Sequence, residues 1–245
     1  MRRCRVVGWA VLAALAAGCA APAERGVLYQ VSTVTALDEG LFDGHVTIAE
    51  LQKHGDFGLG TFDGLDGDMV VLDGCVHQIR TDGKVYRPGP EARTPFAAVA
   101  FFDADRTLSA DGAFDLADLE VLLDKAGPAK NVPVAIRATG LFKRVKTSVL
   151  AKQEKPYRRP ADAGPNRPTF EFSDVRGTLV GFRFPECFKG VHGPGYHLHF
   201  LAADGSGGGH VLELETASIQ VEMHETPAVL ISLPPGESSA EATRR

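Results

Sequence analysis

The residues with the most chemical content lie in Tyr196-His197-Leu198-His199-Phe200. Side chains two apart on a strand share a face. His197 and His199 would therefore offer two imidazoles to one side, roughly 6–7 Å apart at their Cα atoms, while Leu198 turns into the core. The run from Asp204 to Gly209 has the composition of a tight turn, and His210 opens the segment after it. A hairpin at that turn would lay His210 level with the pair. Three histidines with a fourth position open is the pattern of a catalytic zinc site, whereas structural sites are closed and usually use cysteine. The alternative is bland: His-x-His also occurs on half-exposed strands, and the glycines serve equally as a flexible turn.

Other candidates carry less. His192 and His224 lie nearby but off this spacing. His54 and His77 read as surface histidines. Asp103 and Asp105 offer two short carboxylates without the spacing of a calcium loop, and Arg158-Arg159 reads as a solvated patch. Cys75 and Cys187 fall inside the folded part. In an oxidising compartment they could pair; the alternative is two buried thiols. Their spacing matches no metal knuckle.

The 245 residues carry a net charge of −5, with 27 Gly and 15 Pro. That describes a turn-rich globular chain and argues against a nucleic-acid binder, which needs clustered basic residues. Residues 1–18 read as a lipoprotein-type signal peptide. Arg2, Arg3 and Arg5 precede an apolar core, Val6 to Leu15, shorter than the roughly 20 residues of a spanning helix. Leu15-Ala16-Ala17-Gly18-Cys19 resembles a lipobox, and Ala20 leans towards the outer membrane. Membrane contact is then expected only through a lipid anchor at Cys19. A plain secretory cut near Ala21-Pro22-Ala23 is the alternative. Either way the protein is expected to be exported, lipid-anchored to the bacterial membrane or periplasmic. Residues 19–27 read as a tether, 28–234 as the folded domain and 235–245 as a disordered tail. A homodimer is compatible with the sequence.

The elements that must position the histidines follow from periodicity. Two helices are expected, at Thr47 to His54, with Thr47 as N-cap and Glu50 closing a capping box, and at Asp115 to Lys125, with a leucine face. Strands are expected at 27–34, 58–62, 68–72, 76–80, 84–86 and 96–102, with a hairpin turn at Thr81-Asp82-Gly83. The second half reads as nearly all strand: 134–139, 141–147, 170–173, 178–184, 196–202 and 211–221. Residues 156–168 read as a proline-rich loop. The expected class is α+β: a mixed β-sheet with two short helices, followed by an antiparallel β-barrel-like sheet carrying the three-His metal site.

Eight segments together resemble the α-acetolactate decarboxylase family: residues 28–33, 54–62 (His54-Gly55-Asp56-Phe57-Gly58-Leu59-Gly60-Thr61-Phe62), 65–67, 94–96, 152–157 (Lys152-Gln153-Glu154-Lys155-Pro156-Tyr157), 177–182, 194–200 and 208–211. Their order and spacing agree over nearly the whole mature chain. The resemblance implies decarboxylation of acetolactate, a small 2-hydroxy-3-oxo acid, to acetoin on Zn2+ held by His197, His199 and His210. A Lewis acid at the ketone oxygen would stabilise the charge that develops there. Thr61 would line the pocket.

Two positions depart from the family pattern. Asp68 stands where the family has Glu, which withdraws the carboxylate by roughly 1.5 Å. Ser148 stands where the family has a catalytic Arg, and a hydroxyl cannot replace that charge. Arg144 and Lys146 share strand parity with Ser148. The family also draws a carboxylate from its C-terminal tail, for which Glu237 and Glu241 are the candidates. Asp68, Ser148 and Thr61 thus form the catalytic set expected here. Three functions follow: an exported acetolactate decarboxylase, impaired by these exchanges; a non-catalytic metal- or ligand-binding lipoprotein on the same scaffold; or a decarboxylase of another β-keto acid.

Overall fold

The computed structural model describes residues 25–157, 159 and 167–235. The signal peptide expected at 1–18, Cys19, Arg158, Glu237 and Glu241 lie outside the described residues. In chain order the elements are β1 (Val27–Val31), α1 (Val34–Asp38), β2 (Val46–Thr47), α2 (Ile48–Leu51), β3 (Phe57–Thr61), β4 (Asp68–Leu72), β5 (Cys75–Ile79), β6 (Val85–Tyr86), β7 (Arg93–Thr94), β8 (Ala97–Ala100) and β9 (Arg106–Asp111). They continue with α3 (Leu116–Lys125), β10 (Val134–Ser148), β11 (Thr169–Phe184), β12 (Gly195–Ala202), β13 (Gly208–Glu225) and β14 (Ala228–Ser232).

Seven strands form one sheet in the order β14-β1-β8-β3-β4-β5-β6. It is mixed, because β14 runs parallel to β1 while the other pairs are antiparallel. Alternation sorts its side chains onto two faces, as a period of two requires. Leu28, Leu59, Val70 and Ala98 enter the core beneath the second sheet, while Tyr29, Met69, Val71 and Val99 enter a separate core on the far face. The second sheet is antiparallel, in the order β10-β11-β12-β13-β9, and β10 also pairs with β13. Phe142, Leu198, Phe200 and Val221 form its inner core.

The helices start where side chains cap them. Thr47 accepts the Glu50 amide at 3.2 Å and Asp115 accepts the Asp118 amide at 2.8 Å. Each satisfies a backbone donor that has no partner within its helix. Glu50 does not complete a capping box; it turns to Lys53 and His54.

Several expectations need correction. A third helix, α1, starts at Thr33, whose hydroxyl accepts the Ala36 amide. Helix α3 buries Leu119 and Leu123 in the second sheet's core and belongs to that half. The strand pairs expected at 134–147 and 170–184 are two long strands, β10 and β11. Gly140 does not break β10. A Cβ there would collide with the Ser218 carbonyl of β13, so glycine lets the two backbones meet. Strands β9 and β14 were not expected. His77 is buried rather than at the surface, and Cys75 and Cys187 are free and exposed, which removes the buried-thiol alternative. Among the described residues no helix is long and apolar enough to cross a membrane.

Candidate metal centre

Strand register assembles the histidines. On β12, His197 pairs with Phe182 and His199 with Val180 of β11. On its other side His199 pairs with His210 of β13. The three rings converge, with centroids 5.1 Å (His197–His199), 5.0 Å (His197–His210) and 5.5 Å (His199–His210) apart. One ligand nitrogen from each lies within 4.8 Å of the others. Leu198 points the other way into the core, as a strand demands. The glycine turn delivers His210 to the pair.

Burial holds these imidazoles neutral. It lowers His199 to about 3 and His210 to about 4, and pushes His197 well below the ordinary histidine range. Neighbouring imidazoles add to the effect on His197 and His199, and Arg167 adds to it on His197 and His210. Neutral imidazoles are what a cation needs, since only the unprotonated ring nitrogen can ligate. An all-nitrogen set of three suits zinc, and equally copper, iron or nickel. The residues present fit a divalent transition metal.

The first sheet supplies the other wall. Thr61 at the end of β3 stands directly across from Asp68 at the start of β4. Both are buried and both line a cavity of about 320 Å³ with the three histidines. The Thr61 hydroxyl donates to the Gly67 carbonyl at 2.7 Å. Asp68 Oδ2 accepts the His210 amide at 3.2 Å. Burial raises Asp68 to about 7, against the opposing pull of that amide, Arg167 and the Leu150 amide. The Met69 carbonyl of β4 accepts from His199 Nδ1 at 2.8 Å, leaving Nε2 as the nitrogen that can ligate. A backbone oxygen of one sheet thus orients an imidazole of the other.

Ser148 is buried and pairs with His210 across the β10–β13 ladder, yet it does not line the cavity. Arg144 and Lys146 do not reach in: Arg144 pairs with Glu171 and Glu213, and Lys146 with Glu213, all on the surface. The guanidinium in the cavity wall belongs to Arg167, beside Leu150. The ladder explains its place. Ser148 pairs with Thr169 and the Val149 amide donates to the Pro168 carbonyl, so the next position along reaches Arg167. Sequence reasoning missed it, and it set His192 aside as off the spacing of the other three. That histidine lines the same cavity, is buried, and stacks on Phe184 with ring centroids 3.8 Å apart. His224 sits at the far end of β13, 3.2 Å from Asp105.

These features define a mostly β protein in which a mixed and an antiparallel sheet wall a three-imidazole group able to hold a cation, set beside a buried acid. Residues 28–243 match the alpha-acetolactate decarboxylase family, and the chain belongs to that family. It is 48% identical over 208 residues to the alpha-acetolactate decarboxylase of Methanosarcina mazei, covering 85% of this chain and 72% of that one. It is 38% identical over 207 residues to the enzyme of the same name from Bacillus subtilis, covering 84% and 81%. A crystal structure of that Bacillus subtilis enzyme superposes with a TM-score of 0.83, covering 86% of this chain and 90% of that chain.

Proposed function

We propose that the protein decarboxylates acetolactate to acetoin with zinc held by His197, His199 and His210. The observation that carries this reading is the convergence of three neutral imidazoles on a cavity that also holds a protonatable acid and a guanidinium. When bound, zinc supplies a Lewis acid for the oxygen that gains charge as CO2 leaves.

The chain's own residues supply the rest. Arg167 faces the substrate carboxylate and orients it by a charge-assisted contact. The bond from that carboxylate to the neighbouring carbon breaks. Its electron pair moves towards the ketone oxygen, CO2 departs, and the carbon takes up a proton. Asp68 delivers that proton from the carboxyl oxygen not engaged by His210, Oδ1. Thr61, tied to Gly67, keeps the wall beside Asp68 in place. Phe96, Leu150 and Tyr196 exclude water. We read the cycle of pairings through β10, β11, β12 and β13 as barrel-like closure that stiffens the imidazole wall.

The short Asp68 carboxylate slows turnover relative to a longer one, while Arg167 restores the cation that Ser148 lacks. Export with a lipid on Cys19 rests on the sequence of residues 1–19. The test is acetoin formed from racemic acetolactate above the spontaneous background. Acetoin formation that ceases on zinc removal supports the reading. One zinc per chain with no acetoin overturns it in favour of a non-catalytic zinc-binding lipoprotein.

A further inference from the structure

A chain of buried polar groups runs from β1 to the imidazole site. Gln30 on β1 is fully buried, and its amide Nε2 donates to the Val31 carbonyl at 3.3 Å. That contact orients the amide, because the opposite orientation would set two oxygens against each other. Gln30 Oε1 therefore faces His192 Nδ1, 3.2 Å away. On its other edge, His192 Nε2 lies 2.8 Å from His197 Nδ1. The His192 ring is clamped between Phe184, stacked at 3.8 Å, and Phe96 at 5.0 Å.

We propose that Gln30 and His192 are positioning residues that fix the tautomer of His197 and so keep its Nε2 free for the metal. The proton count leaves one arrangement. Gln30 Oε1 can only accept, so His192 carries its proton on Nδ1. His192 is almost fully buried between two phenyl rings, an apolar seat that disfavours the charged ring, so it has a single ring proton and its Nε2 accepts. His197 must then donate from Nδ1, which puts its lone pair on Nε2. Without Gln30 as acceptor, His192 could carry its proton on Nε2 and donate it to His197 Nδ1. The His197 proton would then sit on Nε2, where the cation belongs. His199 is set the same way by the Met69 carbonyl, so two of the three ligands have an assigned orienting partner. Partners that orient metal-bound histidines are typically worth about ten- to a hundredfold in metal affinity.

The proposal rests on reading the three histidines as zinc ligands, and its test separates the two claims. The first measurement is the nitrogen-15 spectrum of the histidine rings in the full chain, zinc-loaded and zinc-free. His192 and His197 are expected to carry their protons on Nδ1 in both states. A proton on Nε2 of either ring overturns the relay whether or not zinc binds. The second is zinc affinity by chelator competition. Gln30→Met, which keeps volume but removes the acceptor, should weaken zinc by about ten- to a hundredfold, and Gln30→Glu should retain it. Unchanged affinity in folded Gln30→Met overturns the relay. If the unaltered chain takes up no zinc, the metal reading fails, and the ring spectra alone decide the relay.

Discussion

At the residue scale the site depends on a few atoms. Replacing His199 by Ala removes one of the three converging imidazoles and, on the proposed function, should abolish stoichiometric zinc, read by metal analysis of the purified variant. Asp68→Glu returns the missing methylene and should raise kcat by tenfold or more, within the roughly hundredfold that a 1 Å misplacement costs. Unchanged or lower kcat would place the rate limit elsewhere. Arg167→Ala should act mainly on KM, because a cation that grips the departing carboxylate binds the ground state at least as well as the transition state. Steady-state kinetics on acetolactate checks both variants. The convergence of the three histidines was legible in the sequence, since period-two spacing and a glycine turn are local signals. His192 and Arg167 were not. His192 lies in the loop before β12 and Arg167 just before β11. Their reach into the cavity is set by ladder register and by Phe184 stacking, which no local period encodes.

At the element scale, β12 must lie close against β11 for the histidines to meet β13. Gly181 of β11 pairs with Leu198, and a Cβ there would collide with the His197 carbonyl. Gly181→Ala should push β12 outwards and cost zinc affinity as well as stability, since backbone rather than a flexible side-chain end must give way. Zinc titration combined with urea unfolding reads both, and full affinity would show that β12 tolerates the shift. Most strands were legible because β-branched and aromatic runs alternate. Their lengths were not. The glycine at position 140 signals a break in sequence but serves a close backbone approach in the fold. The short α1 was missed because it buries no residue and so carries no periodic face.

At the scale of the whole molecule, the buried histidines set the response to acid. In the zinc-free protein His192 and His199 fall to about 3 and His210 to about 4, against 6.5 for the ordinary group. Between those limits the unfolded chain binds more protons than the native one, so stability rises with pH there and is lost as pH falls. Asp68, raised to about 7 from 3.8, acts in the opposite sense across nearly the same window but is outnumbered. Urea midpoints of zinc-free protein should therefore fall between about pH 7 and about pH 5, and a rise would contradict the burial of the imidazoles. Zinc should add stability at neutral pH and lose that effect on acidification, as protons compete for the ligating nitrogens. The mixed and antiparallel sheets were legible as a class. Their meeting across one cavity was not, because it depends on contacts such as Met69 to His199 that join distant segments. The central claim is that His197, His199 and His210 hold one divalent ion with a position left open. X-ray absorption at the zinc edge of the loaded protein tests it most directly. The expected result is one zinc per chain with three imidazole nitrogens at about 2.0–2.1 Å and an oxygen in the remaining position. A sulfur shell, or a nitrogen shell that survives replacement of His199 and His210 by Ala, would contradict it.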